Sequence, residues 1–431
     1  MSRHFMAKNF YKLPPRERIE RVREFAKLTE DDVNTLQKSG LTLDQADRMI
    51  ENVIGTIQFP IGLGVYFLIN GKEYAVPMAL EEASVVAAAS KMAKVASLKR
   101  GFTTTSTDPI MIGQIQITGV ADPYGAKMRI LAQKKRILEL ANEQDPILVK
   151  VGGGAVDLEA RVIDTPLGPM VICHLLVNCK NAMGANAINT MVEALSGEME
   201  SIAQGKVCLK ILSNLAVHRL ARAYAVFDKY ALGGESVVDR ILEAYHFANT
   251  DPFRAVTHNK GIMNGITAVA LATGQDTRAI EAGAHAYASF KGPYRSLSVW
   301  EKNRDGDLVG SLELPIAVGI VGGATSSHPV VRTNLRILGI QSANELAEVM
   351  VAVGLAQNAG ALRALADEGI QEGHMSLHAR NLAIMAGASV EMIDIVVERL
   401  QKNGAIRLDK AQAIVQELLN SEEKIMDPMI H

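Results

Sequence analysis

The stretch from residue 107 to 217 constrains the fold most tightly. Gln114–Thr118 alternates polar and apolar side chains, the two-residue period of a half-buried strand. Pro123–Asn142 has the spacing of a charged amphipathic helix. Glu159–Ile163 and Met170–Asn178 predict strands on either side of the turn Thr165-Pro166-Leu167-Gly168-Pro169. Ala185–Gln204 predicts a second helix and Val207–Leu212 a closing strand. That order, β-α-β-β-α-β, is the split βαβ or ferredoxin-like arrangement, and it predicts a compact inserted domain over about 107–217.

The flanks read differently. Residues 15–50 carry helical spacing and high charge, as two or three surface helices, the last closing at the glycine of Glu51-Asn52-Val53-Ile54-Gly55. Gly64–Ile69 and Glu73–Val76, joined by Asn70-Gly71, predict a tight hairpin. Glu81–Leu98 is alanine-rich and helical in pattern. From Leu220 onward helices are expected to dominate, with glycine-rich loops at 258–265, 283–285 and 319–324 and an apolar helix over Ala343–Glu368. After Gly369-Ile370 the chain becomes more charged, as a small helical appendage. The expected class is α+β. A large, mainly helical domain is split over 1–106 and 218–370, the inserted domain fills 107–217, and a C-terminal flap covers 371–431.

Composition removes several functions. With 45 basic and 47 acidic residues and no basic run, nucleic-acid binding has no electrostatic support. No stretch approaches 18 consecutive apolar residues and the N-terminus lacks an apolar core, so neither a membrane span nor a signal peptide is expected. Cys173, Cys179 and Cys208 form no C-x-x-C pair, and an odd count argues against a disulfide framework. A reducing cytoplasm is expected.

Several stretches could carry chemistry. His258-Asn259-Lys260-Gly261-Ile262-Met263-Asn264-Gly265 places an ammonium among amides and an imidazole between two glycines. Such a lysine stabilises a developing oxyanion or merely decorates a surface turn. Asp276 suits a partner for that lysine, or the N-cap of the next helix. Glu81-Glu82 opens the alanine-rich helix, where acids favour the dipole; a buried, protonated carboxyl there would instead donate to a carbonyl oxygen. His374 and His378 stand at i and i+4, a metal-ligand spacing without the H-E-x-x-H glutamate; His374 alone suits a general acid. Asn181-Ala182-Met183-Gly184-Ala185-Asn186 begins a helix, where backbone N–H groups favour phosphate. Val151-Gly152-Gly153-Gly154 precedes no helix, so a Rossmann reading is weak. A metal-dependent hydrolase built on His374 and His378, and an oxidoreductase with Cys173 or Cys179 as nucleophile, remain as alternatives. The strand setting of these cysteines favours structure.

Taken together, these stretches closely resemble class II 3-hydroxy-3-methylglutaryl-CoA (HMG-CoA) reductase. Glu51–Gly55, Glu81-Glu82-Ala83-Ser84, Gly101-Phe102-Thr103-Thr104, Asp251-Pro252-Phe253-Arg254-Ala255, His258–Gly265, Glu281–Tyr287, Val321–Thr325 and Gly373-His374-Met375 carry the likeness, in order along the chain. The resemblance implies two hydride transfers that interconvert HMG-CoA with mevalonate plus coenzyme A, through mevaldyl-CoA and mevaldehyde. It assigns Lys260, Glu82, Asp276 and His374 to catalysis. Ser84, Arg254, Asn264 and Gln357 would hold the acyl group. Asp145, Met183, Gly184, Asn186, Asn189, Thr190 and Asn214 would hold the cofactor in the non-Rossmann inserted domain. Asp145 implies NAD(H) before NADP(H), and no metal is expected. The family's cofactor loop usually begins with aspartate, where this chain has Asn181. The resemblance also implies a homodimer or hexamer with the site between subunits.

Overall fold

The computed structural model describes residues 9–38, 40–366, 379–403 and 406–426. The inserted segment carries the expected order of strands and helices. Strands β4 (Ile110–Thr118), β5 (Gly154–Ile163), β6 (Met170–Asn178) and β7 (Lys206–Ser213) pair in the order β5-β6-β4-β7, all antiparallel. Ile115, Ile117, Cys173, Leu175 and Val177 point to one face, where helices close a separate core over Ile130, Ile188 and Met191. The first predicted helix is two, α5 (Pro123–Ala132) and α6 (Lys134–Asn142), with a short α7 (Pro146–Lys150) behind them. The second is also two, α8 (Ala185–Ala194) and α9 (Ser196–Ala203).

The surrounding part contains more sheet than its sequence suggested. Hairpin strands β1 (Ile61–Ile69) and β2 (Lys72–Ala79) turn at Asn70-Gly71 as predicted. They join β3 (Phe102–Ser106), β8 (Leu220–Phe227), β9 (Ser298–Lys302) and β10 (Leu308–Pro315) in a six-stranded sheet, order β2-β1-β3-β8-β10-β9. Strict alternation buries Ala221, Ala223, Ala225 and Phe227 of β8. Phe67, Phe102, Phe227 and Trp300 form a chain of ring contacts across it, 5.7–6.3 Å between neighbouring centroids.

Helices cover this inner face, while the N-terminal ones close a separate small core over Val65 and Ala75. The N-terminal α1 (Pro15–Ala26), α2 (Glu30–Lys38) and α3 (Leu43–Asp47) are followed by α4 (Val85–Ser97), α10 (Lys229–Leu232), α11 (Glu235–Thr250), α12 (Pro252–Ala272) and α13 (Thr277–Ala288). Then come α14 (Ala324–Ser327), α15 (Pro329–Leu338) and α16 (Ala343–Ala366). Residues 258–265 and 283–285, expected as loops, lie inside α12 and α13. Their glycines serve close approach rather than turning. A Cβ on Gly265 would stand 3.0 Å from Gln357 Cβ, and one on Gly283 would stand 2.7 Å from the Asn214 carbonyl. The α3 helix ends before Glu51, so Gly55 closes no helix. Among the described residues α16 alone is long and apolar enough to cross a membrane, and it is the buried central helix of the large core. Helices Val390–Lys402 and Leu408–Met426 enclose a third small core with 379–385.

Candidate active site

The α12 helix organises the site. Asp251 caps it by accepting from Arg254 N at 2.8 Å. Lys260 and Asn264, one turn apart, project along one face. Glu82 meets both: its Oε2 accepts from Lys260 Nζ at 2.8 Å and from Asn264 Nδ2 at 3.2 Å. Glu82 lies in the turn before α4, not in its first helical turn, so the dipole reading of this acid does not hold. Ser84 follows with φ +74, and its hydroxyl makes no capping bond. A non-glycine residue held there is strained backbone beside a cavity.

That cavity, of about 470 Å³, brings together Glu82, Ser84, Arg254, Lys260, Asn264 and Gln357. Six residues from three distant parts of the chain thus share one wall. Arg254 is half-buried, and burial pushes its guanidinium below the usual range. No partner holds its side chain among the described residues. A partly desolvated cation without a partner favours an anion.

Two expected members lie elsewhere. Asp276 caps α13, accepting from Ala279 N at 3.1 Å, and pairs with Arg278 at 3.4 Å. Lys260 stands 12 residues before the end of α12, about 18 Å along the axis at the usual helical rise. One chain therefore does not bring Asp276 to its own Lys260. His374 lies outside the described residues, as does His378.

Of the residues expected to hold the cofactor, Met183, Gly184 and Asn186 lie at the start of α8. Gly184 caps the helix with φ +107, and a Cβ there would lie 2.2 Å from Cys179 Sγ, so only glycine fits. Met183 is half-buried beside it, while Asn186 and Thr190 are exposed on one helix face. Asn189 Oδ1 accepts from Leu212 N at 3.0 Å, and the Asn214 carbonyl accepts from Ala216 N at 2.9 Å. Asp145 caps α7, accepting from Leu148 N at 2.9 Å. Asn181, the departure from the family pattern, accepts from Ala343 N at 3.0 Å through Oδ1 and so ties the loop to α16.

Sequence reasoning missed the group that holds this loop. Arg219 is 4% exposed and donates to the carbonyls of Ala182, Met183 and Val318. Burial lowers its guanidinium to about 10, which leaves it charged at neutral pH. Gln275 adds two bonds to the backbone of Gly319, whose Cβ position lies 2.6 Å from Met183 N. A lone arginine before a strand carried no signal that it would be buried. Gly184 with its open helix start and fixed backbone fits a dinucleotide phosphate.

The cysteine alternative fails here. Cys173 and Cys179 are buried, and burial pushes their thiols up to about 12 and about 11, far from a reactive thiolate.

A family model described as hydroxymethylglutaryl-coenzyme A reductase matches residues 15–379. The 3-hydroxy-3-methylglutaryl-coenzyme A reductase of Archaeoglobus fulgidus is 57% identical over 95% of this chain and 94% of its own. A probable reductase of Borreliella burgdorferi is 34% identical over 97% of each chain. The Streptococcus pneumoniae reductase structure superposes with a TM-score of 0.82 at 42% identity, over 95% of this chain and 99% of that one. A second pneumococcal structure, class II and bound to NADPH in open conformations, gives 0.80 at 41%, over 94% and 100%. The family match leaves the hydrolase reading without support. The chain belongs to the HMG-CoA reductase family, as a class II member and an NAD(P)-dependent oxidoreductase.

Proposed function

We propose that the cavity on α12 is where HMG-CoA and mevalonate are interconverted, and that the shared contact of Lys260 and Asn264 with Glu82 is its chemical centre. That contact is the observation that carries the reading. The nicotinamide cofactor supplies the hydride in each reduction. Lys260 offers a fixed ammonium to the oxygen that gains charge, first on the thioester and then on the aldehyde. Glu82 holds the proton for that oxygen in the second step, and Asn264 keeps its carboxyl turned toward Lys260. Arg254 and Ser84 take the free carboxylate, and Gln357 the middle of the acyl group. His374 would protonate the departing thiolate.

Asp276 enters through a second copy. In its own chain it adjoins Gln275, the residue that braces the loop at Gly184 through Gly319, and it follows the end of α12 that lies about 18 Å along the axis from Lys260. A site using Asp276 and a cofactor at Gly184 together with Lys260 therefore draws on two chains. Ile54 is fully exposed and Ile57 is 83% exposed, an apolar strip suited to such an interface. We assign a homodimer, or a hexamer built from such dimers, in the cytoplasm. Asp145 keeps one carboxylate oxygen beyond its cap for a ribose hydroxyl, and its charge would repel a 2′-phosphate, so NAD(H) is preferred over NADP(H).

The test is complementation. Lys260→Ala and Asp276→Ala are each inactive alone in HMG-CoA-dependent NADH oxidation. Unfolded together and refolded as a mixture, they regain about a quarter of wild-type activity, because random pairing restores one intact site per mixed dimer. No recovery in a confirmed mixed dimer would defeat the shared site.

A further inference from the structure

His258 stands two residues before Lys260 and lines the same cavity, yet it is only 2% exposed. Its tautomer follows from its neighbours. Trp300 Nε1 is a donor only, and it lies 2.8 Å from Asn358 Oδ1. That oxygen is an acceptor, so Ser298 Oγ, also 2.8 Å away, directs its single proton to it. Ser298 Oγ can then only accept from His258 Nε2, 2.8 Å distant, which must carry the ring proton. Burial, with the charge of Arg254 beside it, pushes the imidazole down to about 3, so the ring is neutral. Nδ1 therefore bears a lone pair.

Nδ1 is buried without a hydrogen-bond partner among the described residues. So is Gln357 Oε1, in the wall of the same cavity. Buried acceptors are ordinarily paired, and both of these call for a donor. On a 3-hydroxy-3-methylglutaryl thioester the carboxylate and the thioester carbonyl only accept. The acyl part has one donor, the tertiary 3-hydroxyl.

We infer that His258 Nδ1 accepts the proton of the substrate's 3-hydroxyl and that His258 is a specificity-determining residue of this site. The inference rests on the reading of the cavity as the acyl site. A buried acceptor of this kind admits a hydroxyl and stays unpaired before a 3-deoxy or 3-keto thioester.

The experiment compares kcat/KM for HMG-CoA with that for 3-methylglutaryl-CoA, at saturating NADH. The wild type prefers the hydroxylated thioester by at least about tenfold. His258→Gln places an amide toward Ser298 but nothing at Nδ1, and this ratio falls at least about fivefold. His258→Asn returns an oxygen near the Nδ1 position and keeps the ratio. Use of both thioesters within about twofold by the wild type overturns the inference without any variant. A folded His258→Gln protein with the wild-type ratio overturns it as well. No turnover of HMG-CoA by the wild type would sink the site reading first, and the inference with it.

Discussion

The proposed substrate cavity takes its polar groups from the flank of a helix, whereas the proposed cofactor loop takes them from the start of one. Lys260, Asn264 and Arg254 project from α12, whose position is set by packing on α16, with Gly265 against Gln357. Around Gly184 the groups on offer are backbone N–H, and their position is set by the guanidinium of Arg219 beneath them. A side-chain site can lose one interaction while its frame stands. A backbone site loses its shape when its support is removed. Activity and stability should therefore separate in the first region and fall together in the second.

Glu82→Gln gives the sharpest separation. It removes the proton but keeps an oxygen for Lys260 and Asn264. We expect kcat to fall about 10²–10⁴-fold, with NADH affinity and melting temperature unchanged. A matching drop in melting temperature would place Glu82 among the structural residues. Arg219→Ala should do the reverse. It leaves carbonyls of Ala182, Met183 and Val318 unpaired in a buried place, a loss of about 2–4 kcal/mol. Thermal unfolding and the KM for NADH should both worsen; a normal KM in a destabilised protein would break the coupling drawn here.

A smaller effect is expected far from both regions. Burial raises the Asp32 carboxyl, but hydrogen bonds from Thr29, then Arg336 and Thr333, outweigh it and hold it at about 2 against an ordinary 3.8. A depressed carboxyl stabilises the fold above the unfolded value, and that contribution disappears as pH falls through about 4 to 2. It amounts to about 2 kcal/mol. Asp32→Asn should lower the urea midpoint at pH 7 and converge with wild type near pH 2; a constant difference at all pH values would contradict the linkage. The smallest effect concerns Asp145. Asp145→Ala should narrow the preference for NADH over NADPH by about tenfold, read from kcat/KM for each cofactor, and no change would remove Asp145 from cofactor choice.

The strands of residues 107–217 were legible because Gln114–Thr118 alternates and Thr165–Pro169 is rich in turn residues. The hairpin at Asn70-Gly71 was legible for the same reason. The β8 strand was not: three of its four inward residues, Ala221, Ala223 and Ala225, are alanines, which carry little strand signal, and only pairing with β3 and β10 makes them buried. In α12, Gly261 and Gly265 resembled loop punctuation. Ile262, Ile266 and Val269 at helical spacing would have identified the helix. Lys260, Asn264 and Glu82 stood in stretches the residues themselves singled out, Ser84, Arg254 and Gln357 came only through the resemblance, and the fold brings all six to one cavity. Arg219 and the proton on His258 were beyond reach, since both depend on neighbours that arrive from distant strands and loops.

The account turns on the charge of Lys260 at the reacting oxygen. Lys260→Met keeps the apolar stem of the side chain and removes the charge, and can be assayed in both directions, as NADH oxidation with HMG-CoA and as NAD reduction with mevalonate plus coenzyme A. The prediction is a loss of at least about 10²-fold in kcat in each direction, with NADH binding and unfolding temperature as in the wild type. A kcat near the wild-type value in either direction would contradict the central claim.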